Sequence, residues 1–219
     1  MPTSVLPSAD PARREPVSTR RIVLGTAAVA LVPVVLAAAG LLHPHHLTQD
    51  TAGRWITLHL LLLPVFPLLA GSLLFLLRGL RGPWVTVARV GSYLYAIFYT
   101  ALDAIAGVAY GTLLANTDDP ASLTRAGTAI DVVGGALGLI GSSGFLLASV
   151  ATTVALASRY GARRVATGGT ILIAASVLWL GSHIYWPEGV ITVLCLGLGA
   201  GLLNIAREGA PSGPAPAVS

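Results

Sequence analysis

Long apolar stretches, separated by short polar segments, dominate the chain. Six of them cover residues of about 22–42, 55–77, 90–115, 130–157, 168–184 and 188–206. A helix of about 20 residues spans the roughly 30 Å of a bilayer's hydrocarbon core, so each stretch is long enough, or nearly so, to cross it. The pattern predicts an all-α bundle of six transmembrane helices. Trp186-Pro187 predicts a tight hairpin between the fifth and the sixth.

The two ends of the chain lack this pattern. Residues 1–19 and 208–219 consist largely of Pro, Ala, Ser, Gly and charged residues, without apolar periodicity. Such segments bury too little apolar surface to offset the loss of conformational entropy on folding. We therefore predict disordered cytoplasmic tails on either side of one transmembrane domain, residues 20–207.

Composition supports a membrane protein and excludes several other classes. Of the 219 residues, 54% are hydrophobic and 10% are charged, and the mean hydropathy is +0.78. Soluble domains carry about 25% charged residues. Cys195 is the single cysteine, so no disulfide and no cysteine-based metal site can form within one chain.

The arginines predict the orientation of the bundle. All 13 basic residues are arginine, a usage typical of a high-GC bacterial gene. Cytoplasmic segments retain positive charge during insertion. Arg54 and Arg125 fall on one side of the predicted topology, and the other eleven fall on the opposite side: Arg13, Arg14, Arg20, Arg21, Arg78, Arg81, Arg89, Arg159, Arg163, Arg164 and Arg207. We predict a bacterial inner-membrane protein with both termini in the cytoplasm, and no nucleic-acid partner.

Histidines gather on the outer side of this topology. The five are His43, His45, His46, His59 and His183. His59 and His183 lie within about one turn of the outer surface, and Asp131 is expected to open the fourth helix there. With His43 at the end of the first helix, these residues form a candidate pocket for a divalent metal ion or a haem. Imidazole with carboxylate suits Zn, Ni, Cu(II) or Fe.

A second polar feature lies deeper in the predicted third helix. Asp103 is near its middle, and Tyr99 precedes it by one helical turn on the same face. An ionisable group within a membrane helix is costly unless it is paired, so Asp103 is expected to face the bundle interior. Pro64 and Pro67 predict a kink in the second helix, below His59.

Three functional hypotheses from different classes follow. The histidine pocket indicates a metal- or haem-binding protein, Asp103 favours a small proton-coupled carrier, and the same polar residues could instead only stabilise a membrane scaffold. No phosphate-binding Gly-Lys-Ser/Thr loop and no His-Glu-x-x-His motif occurs, so the sequence does not indicate an enzyme. A lipid bilayer is the expected surrounding, with a small molecule or ion as the expected ligand.

Overall fold

The computed structural model describes residues 19–210, and every regular element in that range is helical, as predicted. The α-helices are α1 (Thr19–Leu42), α2 (Gln49–Leu62), α3 (Val65–Leu76), α4 (Pro83–Leu102), α5 (Tyr110–Ala115), α6 (Thr124–Tyr160), α7 (Ala162–Trp179) and α8 (Glu188–Glu208). A π-helical segment, Asp103–Ala109, joins α4 to α5, and a 3-10 turn, Pro120–Leu123, precedes α6. The predicted tails fall outside the described residues, apart from a few positions at the helix ends.

Five helical stretches of the described chain are long and apolar enough to cross a membrane. They are Thr19–Leu42, Gln49–Leu76, Pro83–Ala115, Ala121–Tyr160 and Glu188–Glu208. The helix α7 is not among them; it has 18 residues and carries Arg163 and Arg164 in its first turn. Large apolar side chains such as Leu31, Val132 and Leu178 are more than half exposed on the outside of the helical bundle. A surface of this kind suits contact with lipid.

Glycines allow the longest helices to pack closely. A Cβ atom on Gly91 of α4 would lie 2.6 Å from the carbonyl oxygen of Gly144 on α6, so the two backbones touch there. Gly25 of α1 lies against the Asn204 side chain of α8, and the Asn204 amide donates a hydrogen bond to Thr26 Oγ1 (3.2 Å). Small residues are the usual means of close helix contact in membranes, where lipid offers no hydrophobic drive for association.

The helix α7 lies between α6 and α8. Ser176 Oγ donates to Ser149 Oγ on α6 at 2.9 Å, while Gly168 lies against the α8 backbone at Gly199. The connection that follows α7 returns to α1, where Gly40 lies against the carbonyl of Ile184. These contacts join α7 and the connection after it to α6, α8 and α1.

Two predicted helix ends need correction. The Asp119 carboxylate accepts the Ala121 N–H (3.1 Å) and starts a helical turn, so α6 begins at Thr124 and Asp131 lies two turns inside it. The fifth predicted stretch ends early, because α7 stops at Trp179, and His183 lies in a non-helical connection. The predicted break in the second stretch is confirmed, since α2 ends before Pro64 and α3 begins after it.

The bundle has two chemically different ends. The histidine-rich end contains His43, the start of α2 and the connection between α7 and α8. The arginine-rich end contains the start of α1, the α3–α4 connection and the end of α8, which meet where Arg21 and Arg78 bind the Glu208 carboxylate.

Candidate functional site

Three histidines from separate parts of the chain meet at the histidine-rich end. One ring nitrogen from each of His43, His59 and His183 lies within 4.8 Å of the others. His43 follows the last residue of α1, His59 lies in α2, and His183 lies in the connection before α8. These residues are called the histidine cluster below.

Backbone carbonyls determine the tautomers of two of these imidazoles. His43 Nδ1 lies 2.8 Å from the carbonyl oxygen of Pro44, and His59 Nδ1 lies 2.7 Å from that of Trp55. A carbonyl oxygen only accepts hydrogen bonds, so both Nδ1 atoms donate. In a neutral imidazole the other nitrogen then carries a lone pair. Both Nε2 atoms are therefore acceptors.

These two acceptor atoms face each other. His43 Nε2 and His59 Nε2 are 3.5 Å apart, in rings set at 80° to one another. Neither neutral ring has a proton to share across that gap, so the pair cannot form a hydrogen bond. An imidazole whose Nδ1 donates to a carbonyl and whose Nε2 is free has the arrangement that proteins use for metal-binding histidines.

Asp103 adds a carboxylate to the same place. Its residue is only 1% exposed, and Oδ1 lies 3.7 Å from His59 Nε2. Neither carboxylate oxygen has a hydrogen-bond partner among the described residues. Buried polar atoms normally have a partner, so two unpaired oxygens on one side chain are suited to binding a cation or accepting a hydrogen bond.

Asp103 was assigned on sequence grounds to a separate intramembrane feature, and its place beside the cluster was missed. The π-helical segment begins at Asp103 and includes Gly107, whose Cα lies against the ring of His59. A side chain on Gly107 would overlap that ring. A glycine one turn after an intramembrane aspartate is a signal of close helix approach that points to this contact.

His183 is held by Tyr99. The Tyr99 hydroxyl lies 3.0 Å from His183 Nδ1, and the rings of His59 and His183 are parallel within 6°, with centroids 6.2 Å apart. Gly189 lies directly against the His183 carbonyl, which keeps the connection close to the start of α8. Tyr99 thus links the predicted intramembrane polar residues to the histidine cluster.

Burial favours neutral imidazoles in the two cluster members that lie outside the membrane-spanning helices. It lowers the pKa of His43 to about 4, and it holds the pKa of His183 well below the usual value for histidine. The nearby imidazoles contribute further to both shifts. Near neutral pH these rings are in the deprotonated form that binds metal ions.

A cavity of about 530 Å³ adjoins the cluster, with a lining that includes His59, Asp103 and His183. Trp55 and Tyr185 form aromatic walls around the cluster, with ring centroids 4.8 Å and 4.5 Å from that of His43. The cavity gives a small solute room beside the polar groups, and the aromatic rings limit contact with bulk water.

Three other predicted or neighbouring residues lie apart from the cluster. Asp131 is exposed on α6 and does not belong to the set of converging ligand atoms. The early start of α6 explains this, because it places Asp131 two turns inside the helix and not at its first residue. His45 and His46 are exposed in the connection after α1.

No family model, no curated protein and no solved structure matches this chain. The chemistry of the residues is thus the basis for assigning a role to the site.

The arrangement is suited to metal coordination. Zinc at about 2.0–2.1 Å from each of two tetrahedral ligands sets those ligands about 3.3 Å apart. The 3.5 Å between the two Nε2 atoms and the 3.7 Å from His59 Nε2 to Asp103 Oδ1 are close to that spacing. The widest separation in the cluster, 4.8 Å, requires a shift of about 1.5 Å to reach it.

Proposed function

We propose that this protein is a six-span inner-membrane protein that holds a divalent transition-metal ion in the histidine cluster, with Asp103 as a further ligand. The observation that carries the proposal is the 3.5 Å approach of two imidazole Nε2 atoms, each left without a proton by the hydrogen bond at its Nδ1. A cation between them turns two facing lone pairs into two ligands. Imidazole with carboxylate suits zinc and its neighbours in the first transition row.

The geometry favours a single ion over a haem. An axial pair of imidazoles lies on opposite faces of a porphyrin, about 4 Å apart across the iron. The third imidazole would then occupy space that the macrocycle needs, since all three ring nitrogens are within 4.8 Å of one another. The Asp103 carboxylate, 3.7 Å from His59 Nε2, adds to this crowding. Three imidazoles around one point, with the Asp103 carboxylate 3.7 Å from one of them, leave room for an ion and a small exogenous ligand from the cavity.

Metal titration tests the proposal. Purified protein in detergent is stripped with a chelator and titrated with Zn²⁺ against a chromophoric competitor, and with Co²⁺ while the visible spectrum is recorded. We expect one ion per chain and a cobalt spectrum typical of four or five ligands. In His59→Gln we expect the affinity to fall by more than about 100-fold, because loss of an outer-shell partner alone costs about 10–100-fold.

His46→Gln is the matched control, since it removes an exposed imidazole from the same end of the bundle. It should leave the affinity unchanged. Equal zinc binding by His59→Gln and the unaltered protein would contradict the metal site and leave a structural role for the cluster.

The cavity beside Asp103 supports a second candidate, a carrier that moves a small solute or ion past this carboxylate. Flux into proteoliposomes tests it. A carrier requires zinc or proton uptake that Asp103→Asn abolishes, whereas a static metal site binds the ion without net uptake.

Six spans follow if α7 also crosses the bilayer. Its 18 residues are about 27 Å long. Gly168 near its start contacts α8 at Gly199, and the connection after its end contacts Gly40 at the far end of α1. Such a path runs over most of the bundle's depth, and Arg163 and Arg164 then lie at the arginine-rich end, where the positive-inside rule favours the cytoplasm.

Reporter fusions test the topology. Fusions after Asp50 and Asp119 should report an external location, and a fusion after Arg163 a cytoplasmic one. A reversed result at any of these sites would contradict the orientation, and an external report after Arg163 would remove α7 from the set of spans.

A further inference from the structure

The arginine-rich end contains a cavity that the metal site does not use. Its volume is about 410 Å³, and it is lined by Arg21, Arg159, Tyr160, Arg164, Arg207, Glu208 and Ala210. These residues come from the start of α1, the end of α6, the start of α7 and the end of α8. Four guanidinium groups from four helices therefore surround one space.

The single carboxylate in this lining is already engaged. Glu208 Oε2 binds Arg21 Nε at 2.7 Å, and Glu208 Oε1 binds Arg78 at 2.5 Å. Arg207 Nε also lies 3.9 Å from Oε1, so one negative charge serves three guanidinium groups. Arg159 and Arg164 have no salt bridge within residues 19–210. The cavity retains a clear excess of positive charge.

Arg207 is a fixed part of this wall. Its guanidinium donates to the carbonyl oxygens of Phe75 and Leu76, both at 3.0 Å, and to that of Arg78 at 2.8 Å. These bonds satisfy the C-terminal carbonyls of α3 and hold the side chain in place. The charge is therefore already oriented before any ligand arrives. Burial and the adjacent Arg207 together lower the pKa of Arg78, although Glu208 offsets part of that effect.

An apolar groove of about 450 Å³ begins at the same arginines. It is lined by Arg20, Arg21, Leu24, Gly25, Ala28, Phe75 and Arg78. From Arg21 the groove follows α1 for about two turns toward the middle of the bundle, along the side that faces α3. Small residues at positions 25 and 28 leave space beside the Phe75 ring. Arg21 borders both the groove and the basic cavity.

We propose that this end of the protein binds one anionic glycerophospholipid, with its phosphate in the basic cavity and an acyl chain in the apolar groove. Arginine forms bidentate hydrogen bonds with phosphate oxygens, and its charge offsets the phosphate's. Basic pockets between helix ends on the cytoplasmic side of a membrane are suited to acidic head groups. The adjoining groove selects a lipid over free phosphate, which has nothing to occupy it. This inference depends on membrane insertion and not on the metal site.

Native mass spectrometry and thermal unfolding of the full chain test the proposal. Protein delipidated in detergent is given phosphatidylglycerol, phosphatidylcholine or inorganic phosphate. We expect one phosphatidylglycerol to be retained per chain and to raise the melting temperature, with little retention of phosphatidylcholine. Arg164→Gln should lower phosphatidylglycerol retention by about fivefold, the effect of one cationic contact at a membrane surface.

Matched neighbours serve as controls. Arg163→Gln removes the same charge from the same turn of α7 but does not line the cavity, so it should have little effect. Ala28→Phe fills the groove without changing the charge and should also reduce retention, whereas Ala27→Phe on the neighbouring exposed face should not. Both alanines are exposed, so these variants are expected to fold.

Three results would overturn the proposal. One is equal retention of phosphatidylcholine and phosphatidylglycerol, which would remove the role of the excess positive charge. Another is that millimolar inorganic phosphate raises the melting temperature as much as phosphatidylglycerol does, while Ala28→Phe leaves phosphatidylglycerol retention unchanged. That result would mean a site for a free anion. The third is an equal effect of Arg163→Gln and Arg164→Gln, which would reduce the site to general surface charge.

Discussion

A carboxylate is buried at each end of this bundle, paired at one end and unpaired at the other. At the arginine-rich end, Glu208 is 8% exposed but binds Arg21 and Arg78, and Arg207 caps three carbonyl oxygens. At the histidine-rich end, Asp103 is 1% exposed and neither of its oxygens has a partner within the described residues. Protein atoms alone therefore pair the Glu208 carboxylate but not the Asp103 carboxylate.

This difference between the two carboxylates bears on the proposed metal site. A network that is already satisfied stabilises the fold, and removing a member costs stability. A network with unmatched acceptors costs stability and is retained where a ligand completes it. The Nε2 atoms of His43 and His59 face each other, and the Asp103 carboxyl group lies 3.7 Å from the second of them. Substitutions at the histidine-rich end should therefore lower metal affinity, and substitutions at the arginine-rich end should lower the unfolding free energy.

Of the substitutions that test this contrast, Asp103→Asn should have the largest effect, which is on metal affinity. The substitution keeps the size of the side chain but removes the charge that faces the ion, and we expect the affinity for Zn²⁺ to fall by about 100-fold, the upper range for loss of a coordinating or supporting carboxylate. Stability of the metal-free protein should not fall, because the carboxylate makes no hydrogen bond there. Competition titration and thermal unfolding measure the two effects.

Asp131→Asn is the control for this prediction, since Asp131 is exposed on α6. It should leave zinc affinity unchanged. If Asp103→Asn destabilises the metal-free protein and leaves zinc binding intact, the carboxylate is part of a structural network and the contrast between the ends disappears.

The second prediction concerns helix approach at the site. Gly107→Ala adds a methyl group where the His59 ring already lies. We expect a loss of about 2 kcal/mol in unfolding free energy, as for other overpacked cores, and weaker zinc binding because the imidazole is displaced. Gly53→Ala, at a position in α2 with open space around it, should not weaken zinc binding. Equal zinc affinity in Gly107→Ala and the unaltered protein would show that the contact with His59 is not needed.

The third prediction tests the satisfied end. Glu208→Gln removes the shared carboxylate of Arg21 and Arg78, and we expect it to lower the unfolding free energy by about 1.5–2 kcal/mol. The partial exposure of both arginines keeps the effect below that of a fully buried pair. Zinc affinity should be unchanged. Asp118→Asn, in an exposed loop, is the control and should alter neither quantity.

Most of the helical framework could be predicted from the sequence. The apolar stretches near residues 22–42 and 188–206 correspond to α1 and α8 within a few positions, and Pro64 marks the break between α2 and α3. The shared location of His43, His59 and His183 also follows from the order of the helices. Because the chain reverses direction at each connection, the end of one helix and the start of the next lie at the same end of the bundle. Periodicity and length are enough for these conclusions.

The contacts that make the site could not be read from the pattern. A π-helical segment changes the direction in which residues after Asp103 project, and hydropathy does not reveal such a segment. Asp131 was expected in the pocket because the apolar stretch begins near it, but the capped turn at Asp119 starts α6 earlier. His183 lies in an irregular connection whose path depends on tertiary contacts with Gly40 and Gly189.

The smallest expected effect is that of Tyr99→Phe, which removes the hydroxyl 3.0 Å from His183 Nδ1. If His183 binds the ion through Nε2, its Nδ1 carries the proton and donates to the Tyr99 oxygen, which fixes the ring for coordination. Loss of such a partner should reduce zinc affinity by about tenfold. The aromatic ring remains, with its stacking on Trp179 at a centroid distance of 5.3 Å, so the melting temperature of the metal-free protein should change by no more than the loss of one hydrogen bond accounts for.

Tyr93→Phe, at an exposed position on the same helix, is the control for both measurements. Zinc titration of the two variants separates the roles. A fall in affinity in Tyr99→Phe alone means that the hydroxyl orients a ligand, whereas unchanged affinity in both means that the hydrogen bond between Tyr99 and His183 does not support metal binding.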